Sequence, residues 1–168
     1  MRKHTLYLVA ALLIFLAPSQ AAAQTPANEG ALSVAPFVGA ILDTSEDWLL
    51  LGGEARLKLA DRPFEVNPRL TFNPYEGGSM VQLDVNLLHN YALAGDSRFR
   101  PYVGIGGAFN RYSFDDFSES AVGLNLVSGA RLRMAESRFE PFLNAQYTII
   151  RDQGNLFMVV VGATITLR

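Results

Sequence analysis

Beyond the first few residues the 168-residue chain holds a single histidine, His89, the one side chain whose ordinary pKa would let it serve as a general base at neutral pH. A hydrolytic centre needs a nucleophile and an orienting group beside such a base. His89 shares the alternating parity of Val85 and Leu87 and stands beside Tyr91, and no serine lies two residues away on that face. It is therefore expected to be an interfacial histidine next to an aromatic ring. Paired acids suited to glycoside hydrolysis and a glycine-rich phosphate loop ahead of a helix are also missing, so no catalytic residue is expected. One histidine and no cysteine leave no multi-histidine or thiolate metal site, and no cofactor is implied.

The other residues able to do chemistry are charges set in a regular pattern. Glu54, Arg56 and Lys58, then Arg69, Asp84, Arg131 and Arg133, each alternate with apolar residues. If they share the inside of a closed structure, five cations meet two anions. They would form either a paired polar plug or a narrow, weakly anion-preferring pore. Two acidic groups, Asp43, Glu46 and Asp47, then Asp115, Asp116 and Glu119, stand with Trp48, Phe114 and Phe117 in expected loops. Such loops are either a solvated rim or a surface that holds divalent cations loosely and meets basic partners.

What positions these charges is a hairpin that occurs twice. Ala55-Arg56-Leu57-Lys58-Leu59-Ala60-Asp61, followed by Arg62-Pro63-Phe64-Glu65, recurs as Ala130-Arg131-Leu132-Arg133-Met134-Ala135-Glu136, followed by Ser137-Arg138-Phe139-Glu140. Pro36-Phe37-Val38-Gly39-Ala40 is echoed by Pro101-Tyr102-Val103-Gly104-Ile105. Two similar halves of four strands predict eight. Period-2 alternation places them at about 32–42, 49–60, 64–73, 81–87, 99–112, 122–135, 139–150 and 157–167. No segment carries a helical period. Pro36, Pro63, Pro68, Pro101 and Pro141 fall near strand starts, where a missing ladder donor is best tolerated.

Residues 1–23 read as a secretory leader, with Arg2 and Lys3, an apolar run from Thr5 to Leu16, and Ala21-Ala22-Ala23 before a cut at Gln24. The apolar run is shorter than the roughly 20 residues a spanning helix needs. Residues 24–31 form a polar lead-in, and 32–168 one barrel domain. With no cysteine there is neither a lipid attachment point after cleavage nor a disulfide framework. Without the leader, 12 Lys and Arg stand against 16 Asp and Glu, a net charge of −4 that argues against nucleic acid as a partner.

Eight antiparallel strands can close into a barrel with no exposed edge. Alternation alone leaves open which face is wet, and a soluble, lipocalin-like binding barrel is the alternative. Three features favour lipid outside. The strands are long enough to cross a bilayer at a tilt, which takes about 9–11 residues. Phe64, Tyr91, Phe99 and Phe139, near the even-numbered turns, share the apolar parity and would form an interfacial aromatic girdle. The charged face is rich in glycine and mixes both signs. The turns after strands two, four and six are expected to be the tight, periplasmic ones, with longer outer loops at 43–48 and 112–120.

The leader, the eight alternating strands, Pro101-Tyr102-Val103-Gly104-Ile105-Gly106-Gly107 and the closing Gly162-Ala163-Thr164-Ile165-Thr166-Leu167 together resemble the small bacterial outer-membrane β-barrels of the OmpA transmembrane-domain and OmpX type. The resemblance implies an eight-stranded, up-and-down transmembrane barrel in the outer membrane of a Gram-negative cell. It implies contact with outer-membrane lipid and lipopolysaccharide, insertion by the barrel-assembly machinery, and a monomer. Barrels of this type usually end on an aromatic residue, and here Leu167 holds that position with Arg168 after it. The larger relatives carry a peptidoglycan-binding domain after the barrel, whereas this sequence stops at the eighth strand. Some eight-stranded relatives edit lipid A acyl chains with a lipid-facing Ser and His, for which only His89 is a candidate. A structural or surface-interaction role without catalysis is the expectation.

Overall fold

The computed structural model describes residues 32–42, 48–59, 62–93, 98–134, 137–151 and 154–167. The leader, the lead-in and the acidic residues Asp43, Glu46 and Asp47 lie outside them. Eight strands follow one another: β1 (Leu32–Ile41), β2 (Trp48–Lys58), β3 (Phe64–Tyr75), β4 (Gly78–Asn90), β5 (Phe99–Phe114), β6 (Ser118–Leu132), β7 (Phe139–Ile150) and β8 (Gly154–Leu167). Each pairs antiparallel with its neighbours, and β1 closes on β8, with Leu32 opposite Leu167 and Ile41 opposite Met158. The result is a closed up-and-down barrel.

The pleat sorts side chains by parity, and the two faces are the reverse of a soluble protein. Leu49, Ile105 and Leu124 are 68%, 65% and 67% exposed, whereas Thr71, Gln82, Asp84 and Asn110 are at 0%. Along β4, Val81, Leu83, Val85 and Leu87 point out, while Met80, Gln82, Asp84, Asn86 and Leu88 are buried. Because the barrel has eight strands, its interior has room for side chains and little else.

Three glycines make that interior fit. Phe37, Tyr102 and Phe142 point inward, and across the ladder from each stands a glycine: Gly52, Gly129 and Gly162. A Cβ at Gly52 would strike the Phe37 ring and the Leu70 carbonyl, one at Gly129 the Tyr102 ring, and one at Gly162 the Phe142 ring. The glycine-rich parity is thus the seat of the inward aromatics.

The turns differ from expectation. β3 runs on to Tyr75 and turns at Glu76-Gly77, where Gly77 takes a positive φ of 78° that only glycine adopts freely. β5 and β6 extend to Phe114 and Ser118, so the expected long acidic loop shrinks to residues 115–117 at the tip of a hairpin. Stacking of Phe114 on Phe117 at 4.5 Å and an Arg111 Nη2 to Ser118 Oγ hydrogen bond of 3.0 Å close that tip. The connections 76–77, 115–117 and 151–153 are short, 59–63, 91–98 and 133–138 are longer, and 42–47 is long as expected. The turns after β2, β4 and β6 are therefore not the tight ones the sequence suggested, and of the two outer loops expected to be long only 42–47 is.

Candidate functional site

The inside of the barrel is the only place where many polar groups converge among the described residues. At mid-height Asp84 is the hub. Its Oδ1 accepts from Gln82 Nε2 at 2.7 Å and from Asn125 Nδ2 at 2.8 Å, and its Oδ2 accepts from Gln146 Nε2 at 3.4 Å. Four strands contribute to this cluster: β4 places Gln82 and Asp84, β6 places Asn125, and β7 and β3 place Gln146 and Arg69. Arg69 donates to Gln146 Oε1 at 3.0 Å and Asn144 Oδ1 at 3.2 Å, so it meets Asp84 through Gln146. Its guanidinium lies over the Phe37 ring, 4.2 Å from the centroid, where the ring's negative face favours a cation.

Nearer the chain termini a second group forms. Arg56 pairs with Glu54 at 2.6 Å, donates to Tyr102 Oη at 3.1 Å, and lies over the Tyr102 and Phe142 rings at 4.6 and 5.2 Å. Arg131 pairs with Glu65 at 3.1 Å and donates to Asn90 Oδ1 at 2.6 Å. Glu65 also faces Arg56 at 3.9 Å. Around these charges is a recess of about 40 Å³ lined by Ser33, Arg56, Lys58, Glu65, Arg131, Glu140 and Thr166. That exceeds the roughly 10–15 Å³ one water needs by a comparable measure, so the recess admits water.

The buried charges balance. Buried Arg56, Arg69 and Arg131 stand against buried Glu54, Glu65 and Asp84, with Lys58, Arg100 and Glu140 half-buried on the inward parity nearer the rim. Glu65 was overlooked as an inward anion because it follows a turn, although it shares the parity of Asn67 and Arg69. Arg133 was expected inside and is not. β6 ends at Leu132, and Arg133 is exposed beyond it, its backbone N–H donating to the Arg98 carbonyl at 2.7 Å. Five cations against two anions is thus corrected to a buried network of matched charge, three of each sign.

Nor is the interior polar throughout. Above the Asp84 hub, toward the 76–77 and 115–117 turns, Ile41, Leu50, Met80, Met158 and Val160 are buried, in one cluster with Ala35, Phe37 and Phe142 lower in the barrel, and Tyr75, Tyr112 and Leu156 pack against it. These residues fill most of that end with an apolar layer, in which buried Asn73 donates to the Leu49 carbonyl at 2.8 Å. A second small cluster, Leu88, Tyr102 and Val127, backs the Arg56 group. The expected charge network is therefore a middle layer beneath an apolar stopper.

At the terminal end Phe99 and Phe139 are exposed and outward, while Phe64 and Tyr91 are half-buried. His89 sits between the last two, ring centroids 5.0 Å from Phe64 and 4.7 Å from Tyr91, in edge contacts. Its cross-strand partners are Phe64 and Val103, so no hydroxyl is paired with it in the ladder. Asp115, Asp116 and Glu119 are exposed on the β5–β6 hairpin at the opposite end. Among the described residues, no group of three His, Cys, Asp or Glu is placed to hold a metal ion.

Neither a protein-family model nor a curated protein matches the chain. Solved structures do. The N-terminal β-barrel domain of Pseudomonas aeruginosa OprF superposes with a TM-score of 0.61 at 18% identity, covering 83% of this chain and 100% of the other. Neisserial surface protein A, NspA, does so at 0.65 and 15%, covering 83% and 99%. The outer membrane enzyme PagL does so at 0.50 and 14%, covering 80% and 99%. At these identities the likeness is one of fold: the chain has the architecture of small outer-membrane barrels.

Proposed function

We propose that the chain is an integral outer-membrane β-barrel protein of the OmpA and OmpX type, with a structural or surface-interaction role and no catalysis. The observation that carries this reading is the inversion of the two faces. Leucine, isoleucine, valine and phenylalanine cover the outside, and six balanced charges with their amide partners fill the inside. Water outside would leave that surface unburied, whereas hydrocarbon suits it, and a closed barrel satisfies every strand's backbone within the sheet. The fold of OprF and NspA supports the same membrane.

The matched charges and the apolar stopper favour a sealed interior over a pore. The buried charges cancel, so that network has no surplus of one sign to select an ion, and buried apolar side chains narrow the upper layer. His89 is wedged between two rings, and among the described residues no hydroxyl or carboxylate is paired with it in the ladder, as acyl hydrolysis would require. PagL shows that this fold can carry an enzyme, so the reading without catalysis rests on the side chains and not on the fold. The chain ends and the 59–63, 91–98 and 133–138 connections are assigned to the periplasm, and the acidic hairpin to the outside as a solvated rim. Lipid and lipopolysaccharide are the standing contacts, assembly is by the barrel-assembly machinery, and the working unit is a monomer.

Cell fractionation tests the reading. The protein stays with outer membranes through a carbonate wash. Recovery as a soluble periplasmic protein would replace it with a lipocalin-like binding barrel. Lipid A shortened by the wild type and left intact by His89→Ala would replace it with an enzyme.

A further inference from the structure

The repeat that organises the sequence has a feature the sealed interior does not use. At each of the three even-numbered turns the chain re-enters the barrel through an arginine and a phenylalanine: Arg62-Pro63-Phe64 into β3, Arg98-Phe99 into β5, and Arg138-Phe139 into β7. All three arginines are exposed. All three phenylalanines lie on the outward parity, Phe99 at 48% and Phe139 at 51% exposure. The ring order β1 to β8 separates successive turns by two strands, which spreads the three pairs around the barrel.

Among the described residues, the even-turn end exposes four cations, Arg62, Arg98, Arg133 and Arg138, and no carboxylate, while Asp61, Asp96 and Glu136 of the same connections lie outside those residues. The opposite end exposes Glu76, Asp115, Asp116 and Glu119 together with Arg111 and Arg151. An outward phenylalanine at a barrel rim sits where acyl chains meet headgroups, and an arginine one or two residues further out stands at the level of the phosphates. A guanidinium forms bidentate hydrogen bonds with a phosphate, so the position and the chemistry coincide.

Building on the membrane reading above, we propose that the even-turn end is a binding surface for anionic phospholipid headgroups, with Arg62/Phe64, Arg98/Phe99 and Arg138/Phe139 each seating one. The phenylalanine lies among the acyl chains and the arginine holds the phosphate. The barrel thereby selects phosphatidylglycerol-type lipid in the leaflet at its terminal end, and the acidic hairpin faces the other way.

The test uses the mature protein in phosphatidylcholine vesicles, with spin-labelled phosphatidylglycerol or spin-labelled phosphatidylcholine as the probe at low salt. An arginine near an anionic headgroup contributes roughly fivefold in association. The wild type is expected to hold phosphatidylglycerol at least about fivefold over phosphatidylcholine by that measure. The triple variant R62Q/R98Q/R138Q lowers the ratio most, R98Q and R138Q alone lower it stepwise, and R111Q/R151Q at the far end leaves it unchanged. Equal association of the two lipids with inserted wild type, or an undiminished ratio in the inserted triple variant, overturns the inference and leaves the membrane reading standing. Failure of the wild type to immobilise either lipid overturns both.

Discussion

Replacing Leu83 by arginine sets the outer face against its solvent. Leu83 is 51% exposed, near the middle of β4, with Leu70 and Phe109 opposite it at 53% and 47%. An arginine at the midplane of a barrel's lipid face costs about 2–4 kcal/mol, falling to about 0–1 near the interface. At about 1.4 kcal/mol per decade, the midplane cost lowers the folding equilibrium roughly 30- to 700-fold. Phe99→Arg, at the rim, supplies the interfacial comparison. Gln82→Leu on the same strand probes the inside. Parity alone makes it mild, but Gln82 is fully buried and donates to the Asp84 carboxylate at 2.7 Å. Losing a hydrogen bond to a charged group costs about 1.5–3 kcal/mol. The two effects separate by environment more than by size. Urea unfolding of the barrel in phosphatidylcholine vesicles, followed by tyrosine fluorescence and gel mobility, should show the Leu83→Arg cost grow as the bilayer thickens while that of Gln82→Leu stays constant. If Leu83→Arg costs no more than Phe99→Arg, hydrocarbon does not cover the Leu83 face and the reasoning fails.

The Arg131–Glu65 pair is buried, with both side chains under a tenth exposed. Arg131→Ala should therefore cost about 3–5 kcal/mol, with part recovered in Arg131→Ala/Glu65→Gln, because removing one partner strands the other. A simple additive loss in the double variant, measured by the same unfolding, would show the pair uncoupled. Planar-bilayer recordings of the purified protein should show no steady conductance. Stable anion-selective channels that vanish in Arg131→Ala would contradict the sealed interior. Gly52→Ala should lower the yield of heat-modifiable folded barrel, because the added Cβ meets the Phe37 ring on which Arg69 lies; an unchanged yield would mean the ring has somewhere else to go.

Strands β2, β3 and β4 were legible in the sequence because a charge or amide interrupts the apolar residues at every second position, as in Glu54, Arg56 and Lys58 or Gln82, Asp84 and Asn86. The apolar stopper was not. In Leu49-Leu50-Leu51 and Met158-Val159-Val160-Val161 both faces are apolar, and parity gives no contrast when lipid lies on one side and a dry core on the other. Inward Leu50, Met158 and Val160 therefore looked like their outward neighbours. Arg133 failed for the complementary reason. The alternation Arg131, Arg133 runs one step past the end of β6, and sequence periodicity does not know where pairing stops.

Turn lengths were misjudged because composition stood in for geometry. Asp115, Asp116 and Ser118 are loop formers by type, yet the ladder from Ser113–Ser118 downward and the Phe114–Phe117 stack carry the hairpin almost to its tip. Tight-looking Ala94-Gly95-Asp96-Ser97 falls within a longer connection. The interior network was half visible. Its members could be named from parity, but the hub role of Asp84, and the Gln146 bridge that joins it to Arg69, its partner across the ladder, depend on register across four strands.

The most direct test of the inverted barrel exploits the absence of cysteine from the sequence. Single cysteines placed through residues 80–88 of β4 and labelled with a nitroxide report collision with oxygen, which concentrates in hydrocarbon, and with a polar nickel complex, which does not. In bilayers, oxygen accessibility should peak at 81, 83, 85 and 87 and fall at 80, 82, 84, 86 and 88, with the nickel complex low throughout. High nickel accessibility at 81, 83, 85 and 87 would put water against that face and contradict a membrane-spanning barrel.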